Sequence, residues 1–177
     1  NNLMKQGKLI VIEGTDGSGK TTQTELLLKR LKDENISSES IRFPRYVENL
    51  FGGLIRECLD GYHGDFISLD PKIGSVLYAC DRFETMPQIK KWLEEGKVVI
   101  LDRYVSSNQI HQGGKIRDKK ARQEFLEWLG EMEYEKLGIT KPDMVLYLDM
   151  PADISKTLIE ERVGTKDLAD DNWNYLE

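Results

Sequence analysis

Eight residues restrict this chain more than any others. Gly14-Thr15-Asp16-Gly17-Ser18-Gly19-Lys20-Thr21 fit the pattern G-x-x-x-x-G-K-[ST] in full. The apolar run Lys8–Ile12 before them reads as a buried strand, and Thr22–Lys32 after them as a helix with Leu26, Leu27, Leu28 and Leu31 on its core side. Strand, glycine loop and helix in that order make a phosphate cradle. The glycines let the backbone turn its N–H groups toward phosphate oxygens, and the helix adds its positive N-terminus. Lys20 supplies a cation for the β and γ phosphates, the Thr21 hydroxyl is a candidate Mg²⁺ ligand, and Thr22 extends the ATP-binding set. A nucleoside triphosphate is the ligand this segment implies.

The rest of the chain repeats the alternation. Ser40–Phe43 reads as a second strand closed by Pro44. Phe51, Leu54, Ile55, Cys58 and Leu59 mark one helical face. Gly61–Asp70 reads as a loop, Pro71 opens a helix, and a helix through Ile89 and Trp92 stops at Gly96. Val98–Leu101 is a third strand, Asp118–Leu137 a long amphipathic helix, Met144–Leu148 a fourth strand and Pro151–Arg162 a further helix. This order predicts one α/β domain over 1–177, a three-layer α/β/α P-loop NTPase fold with a parallel central sheet and right-handed crossovers.

Composition narrows the partners. With 25 Lys plus Arg against 31 Asp plus Glu, the net charge is −6, so no global field favours nucleic acid or an anionic membrane. No apolar run approaches the ~20 residues of a membrane span. Cys58, Cys80, His63 and His111 fall in no metal-ligand spacing, and the cysteines read as thiols of a reducing compartment. Asn1–Lys5 lacks the apolar stretch of a signal peptide, Met4 reads as the initiator, and the expected location is cytoplasmic.

Asp102 closes the third strand, where parallel sheets place ligands, and is a candidate for the Mg²⁺ shell. Arg103 beside it offers a planar fork for a phosphate dianion. Thr140-Lys141-Pro142-Asp143 superficially matches a guanine-reading N-K-x-D, but it precedes a strand rather than following one, which argues against a GTPase. A small-molecule kinase remains.

Several separated blocks then resemble the thymidylate kinase family: the phosphate loop Ile12–Thr22, Phe43-Pro44-Arg45-Tyr46, Tyr78-Ala79-Cys80-Asp81-Arg82, Leu101-Asp102-Arg103-Tyr104 and Lys141-Pro142-Asp143. The resemblance implies transfer of the ATP γ-phosphoryl to dTMP in dTTP biosynthesis, with Mg²⁺. It implies that Arg45 and Arg103 grip the dTMP phosphate with Tyr46 and Phe43 nearby. Tyr78 would stack on thymine, Arg82 would reach the base edge, and Asn108 and Gln109 would meet its polar groups. Asp16 would bind the deoxyribose 3′-OH, with His111 beside the sugar, where many relatives carry tyrosine. Catalysis would fall to Lys20, Arg103, Asp16 and a lid arginine.

Some relatives carry an arginine where this loop has Gly17. Those without it supply the catalytic arginine from a mobile lid, expected here over Arg162–Asp171, with Arg162 the first candidate and Lys166 the second. The resemblance also implies a homodimer, and one more strand and helix than the chain contains beyond Asn172–Glu177. Two readings stay open beside it. One is another P-loop nucleotide or nucleoside kinase, in which Glu13 could act as general base. The other is a nucleotide-binding domain without catalysis.

Overall fold

The structure, a computed structural model, describes residues 6–151, 153–155 and 157–158. Its sheet has four parallel strands, β1 (Lys8–Gly14), β2 (Ser38–Arg42), β3 (Val98–Asp102) and β4 (Met144–Leu148), in the order β2-β3-β1-β4. Leu9 pairs with Val99 and Ile12 with Asp102, which brings the C-terminal ends of β1 and β3 side by side. Strand β2 starts two residues before the expected Ser40 and ends at Arg42. Phe43 leaves the sheet but keeps an N–H bond to the Asp102 carbonyl.

Helices α1 (Lys20–Asp33), α2 (Leu50–Leu59), α3 (Pro71–Glu94), α4 (Val105–Gly114) and α5 (Lys119–Gly130) surround the sheet. Leu9, Val11, Val99 and Leu101 form one core with Met86, Ile89 and Leu93 of α3. Ile12 and Ile100 alternate to the other face, equally buried, where α1 crosses. The core side of α1 is not the expected set of four leucines. Lys20 and Thr24 are its buried residues and Leu26 is 55% exposed, because the first turn is oriented by the loop it closes rather than by its leucines.

Helix α3 runs unbroken for 24 residues, with Pro71 in its first turn, Asp70 capping the Lys72 N–H, and Gly96 in the left-handed conformation just beyond its end. Its buried stripe is Ser75, Ala79, Arg82, Met86, Ile89 and Leu93, with Asp81 and Thr85 alongside. That stripe is apolar toward its C-terminus and polar in the middle. The helix expected over 118–137 is α5 followed by a π-helical turn, Glu131–Lys136. The Lys141-Pro142-Asp143 block locks β4 in register: Asp143 accepts from the Leu9 N–H and Lys8 Nζ, both at 2.8 Å, and donates its own N–H to the Leu9 carbonyl. It therefore sits at the start of β1, the end of the sheet opposite the phosphate loop, which removes the guanine-reading alternative. Of the helix expected over 151–162, residues 153–155 and 157–158 are helical, while Arg162, Lys166, the expected lid and Asn172–Glu177 lie outside the described residues. Among the described residues no helix is long and apolar enough to cross a membrane.

Candidate active site

The loop between β1 and α1 has the backbone its glycines permit, with Gly17 at φ 74° and Gly19 at φ 86°, a region that L side chains avoid. Lys20 folds over it, donating from Nζ to the carbonyls of Gly14 (3.0 Å) and Thr15 (2.9 Å). Burial, and then the neighbouring Arg103 guanidinium, hold its ammonium below the ordinary lysine range. The Ser18 hydroxyl is buried without a partner among the described residues, whereas Thr15, Thr21 and Thr22 reach the surface or lie close to it.

At the end of β3 the backbone turns sharply. Arg103 sits at φ 68°, a strained conformation for an arginine, and is 4% exposed. Its N–H is bonded to the Ile12 carbonyl, Nη2 to Asp16 of the loop, and Nη1 lies 3.1 Å from His111 Nε2. A guanidinium carries no acceptor, so Nε2 of His111 accepts there. Asp102 is buried beside it, and that burial raises its carboxyl above the usual range. Its Oδ2 lies 3.5 Å from the Thr21 hydroxyl while Oδ1 has no partner among the described residues. A buried, half-satisfied carboxylate next to a hydroxyl is the donor set a Mg²⁺ shell needs, so these two residues fit that ion.

Arg103 also lines a cavity that is open to solvent on one side. Phe43, Pro44 and Tyr78 supply its apolar walls, and Arg82, Asn108 and Gln112 its polar floor; Asp81, Tyr104, Ser107 and His111 complete it. Tyr78 is held by Phe66 at 5.9 Å between ring centroids, and Phe43 by Tyr104 at 6.0 Å, so both aromatic walls are buttressed from behind. Arg45 and Tyr46 follow Pro44 on the same loop. That loop is pinned by Asp81, which accepts from the Arg45 N–H and from Asn49 Nδ2.

The expected residues therefore divide. Phe43, Tyr78, Arg103, Asn108 and His111 line one cavity, and Asp16 of the phosphate loop is joined to it through Arg103. Gln109 does not join them: it is exposed, and Gln112, buried with Oε1 unpartnered among the described residues, takes the cavity position. The buried phase of α4 is Val105, Asn108 and Gln112, which turns Gln109 outward. Arg82 lines the cavity but is less free than expected. Its Nε and Nη2 are bound to Glu133 at 2.7 and 2.6 Å, which leaves Nη1, 3.4 Å from the Tyr104 carbonyl. Glu13 is engaged on both carboxylate oxygens. Gly14 N–H holds Oε1 while Ser106 and Ser107 hold Oε2, so this carboxylate ties the loop to α4. Sequence reasoning missed Gln112 and Glu133. The signal for Glu133 was there, a carboxylate in helical phase with the buried Phe125 and Leu129.

Known proteins share this arrangement of sequence. The thymidylate kinase family profile matches residues 12–172. The thymidylate kinase of Mycobacterium tuberculosis is 33% identical over 147 residues, covering 83% of this chain and 68% of that protein. That of Schizosaccharomyces pombe is 30% identical over 152 residues, covering 86% and 65%. The probable thymidylate kinase of Thermococcus kodakarensis is 36% identical over 158 residues, covering 86% and 71%. The chain thus spans 65–71% of the length of these relatives. In fold it resembles the thymidylate kinase from Candida albicans, with a TM-score of 0.67 over 95% of this chain and 81% of that one at 24% identity. By the match of its sequence over nearly its whole length, the chain belongs to the thymidylate kinase family.

Proposed function

We propose that this chain transfers the γ-phosphoryl group of ATP to dTMP, giving dTDP and ADP. One observation carries the reading: Arg103 is shared between the phosphate loop, through Asp16, and the aromatic-walled cavity. A donor triphosphate on the loop and a monophosphate acceptor in the cavity would present their phosphates to the same guanidinium. Such clustering of cations is needed, since two like unit charges 4 Å apart repel by about 4 kcal/mol at an effective dielectric of 20. Lys20 would take the β and γ phosphates, and Arg103 with Arg45 the acceptor phosphate. Asp16 would orient the sugar, and Tyr78 would cover the base. Thr21 and Asp102 would hold Mg²⁺, whose charge neutralises the phosphate oxygens. The acceptor oxygen is already ionised near pH 7, so no strong base is called for, in keeping with the engagement of both Glu13 oxygens. That engagement disfavours a nucleoside as acceptor.

A homodimer accords with a second, outward stripe on α3, where Ile73, Val76 and Phe83 are 60%, 42% and 51% exposed. A reducing cytoplasmic setting accords with the free thiols of Cys58 and Cys80. The test is ADP release with Mg-ATP against dTMP, dUMP, dCMP, dGMP, AMP and thymidine. Preference for dTMP is expected. Preference for thymidine or a purine nucleotide would overturn the assignment of the cavity, and ATP binding without turnover of any acceptor would overturn catalysis.

A further inference from the structure

Glu133 is 0% exposed, and the proposed mechanism gives it no part. An ionised carboxylate so placed is costly unless it is fully engaged. It sits on the π-helical turn after α5, a local widening often found at functional sites, and everything that engages it belongs to the cavity. Arg82 donates to both of its oxygens, and Asn108 Nδ2 donates to Oε1 at 3.0 Å. Glu133 does not itself line the cavity; Arg82 and Asn108 do.

The consequence lies in the Asn108 amide. Its Nδ2 carries two hydrogens. One goes to the Ser75 carbonyl at 3.1 Å and the other to Glu133. Neither acceptor can donate, so the amide has one orientation, and Oδ1 is the polar atom it offers the cavity. Arg82 lines the cavity with Nε and Nη2 on Glu133 and Nη1 3.4 Å from the Tyr104 carbonyl, and the N–H bonds these contacts leave over are the donors it has for a base. One acceptor beside one donor matches a pyrimidine with a ring N–H next to a carbonyl. Cytosine reverses both groups and would set acceptor against acceptor and donor against donor.

We infer that Glu133 is the positioning residue for base selectivity: it fixes the Asn108 amide and aims Arg82, so that the cavity takes 4-oxo-pyrimidines and rejects cytosine. The inference rests on the dTMP-kinase reading. Glu133→Gln replaces one of two acceptor oxygens with a donor, which faces donors on every side. Turning the Asn108 amide over relieves the conflict with the new amide, sets Oδ1 against the Ser75 carbonyl instead and presents Nδ2 to the base, so Asn108 loses its single orientation.

The test is kcat/KM with Mg-ATP for dTMP and for dCMP, in wild type, Glu133→Gln, Glu133→Asp, Asn108→Ala and the Glu133→Gln/Asn108→Ala double variant. Glu133→Gln should lower the dTMP-to-dCMP ratio at least ~10-fold through KM for dTMP, with kcat and the ATP KM within about twofold. In the Asn108→Ala background the same substitution should move the ratio less, since only the route through Arg82 remains, and an undiminished fall there would overturn the role given to the amide. A residue that only holds the fold together would lower both activities in proportion and keep the ratio, and that result overturns the inference. Should Glu133→Gln not fold, Glu133→Asp keeps the charge but draws it back from Asn108. An intermediate ratio supports the inference and a wild-type ratio overturns it. If the wild type does not phosphorylate dTMP, the proposed function fails separately. The dissociation constants of dTMP and dCMP for wild type and Glu133→Gln then decide the selectivity claim, and equal binding of both nucleotides by wild type ends it.

Discussion

Substitution of Gly52 by alanine should damage the acceptor side of the cleft while sparing the ATP side. Gly52 lies in the first turn of α2 with its N–H bonded to Asn49 Oδ1 at 2.7 Å. A Cβ there would stand 1.9 Å from the Arg45 carbonyl oxygen, 2.3 Å from its carbon and 2.6 Å from Asn49 Oδ1. Ordinary contact begins near 3.4 Å, so backbone rather than a flexible side-chain tip must retreat by about 1.5 Å. That movement pulls the Arg45 N–H off Asp81 and strains the Asn49 bridge to Asp81 and Thr85. Overpacking costs about 1–3 kcal/mol, a lost helix cap ~1 kcal/mol, and a broken buried hydrogen bond ~1 kcal/mol. A loss of roughly 3–5 kcal/mol, or about 10 °C in Tm for a chain of this size, is therefore expected. An ångström of misplacement at Arg45 should cut kcat/KM for dTMP by up to ~10²-fold. The ATP KM should stay put, because the phosphate loop is untouched. Gly53→Ala is the control: its Cβ would meet only the Tyr46 carbonyl, at 3.8 Å, and it should be neutral or slightly stabilising. Thermal unfolding and two-substrate kinetics on both variants decide the matter. A Gly52→Ala protein with wild-type Tm and wild-type dTMP kinetics would refute the reasoning.

Lys20→Ala removes the cation clasped to the Gly14 and Thr15 carbonyls and should lower kcat by ~10²–10³-fold. Steady-state kinetics at saturating ATP and dTMP would show it, and an unchanged kcat would take Lys20 out of the chemistry. Alkaline stability offers a test free of any assumption about function. Burial, with the Glu133 charge adding to it, pushes the Tyr134 phenol up to about 12, and burial raises Tyr104 as well. The folded state then holds these protons while the unfolded state releases them above pH ~10, so stability is unaffected below that pH and falls as pH rises beyond it. Tyr134→Phe should fall less steeply with pH between about 10 and 12 in denaturant titrations; parallel slopes would contradict this placement of the ring.

Much of the cleft is local in the chain and was legible there. The phosphate loop needs only a strand end, glycines free to take positive φ, and a helix start, all within about a dozen consecutive residues. Aromatic Tyr78 and basic Arg82 stand four apart on one helix, so a single turn of α3 brings both to one wall. The Asp143 block could be placed at the start of a strand, and it binds β1 there. Helical periodicity was weaker. It named four leucines for the core side of α1, but the loop sets that helix's rotation and leaves Leu26 in solvent.

The sequence by itself determined the order of strands and helices, the phosphate loop and the chemistry of a triphosphate ligand, because each depends on contiguous residues and on backbone preferences that act over a few bonds. Tertiary structure alone decided which buried polar groups meet. Arg103 finds Asp16 across 87 positions, Arg82 finds Glu133 across 51, and Gln112 rather than Gln109 enters the cavity. Periodicity reports which face of a helix is covered. What covers it depends on how elements distant in sequence pack, and a buried charge then takes whichever partner that packing brings within hydrogen-bond reach.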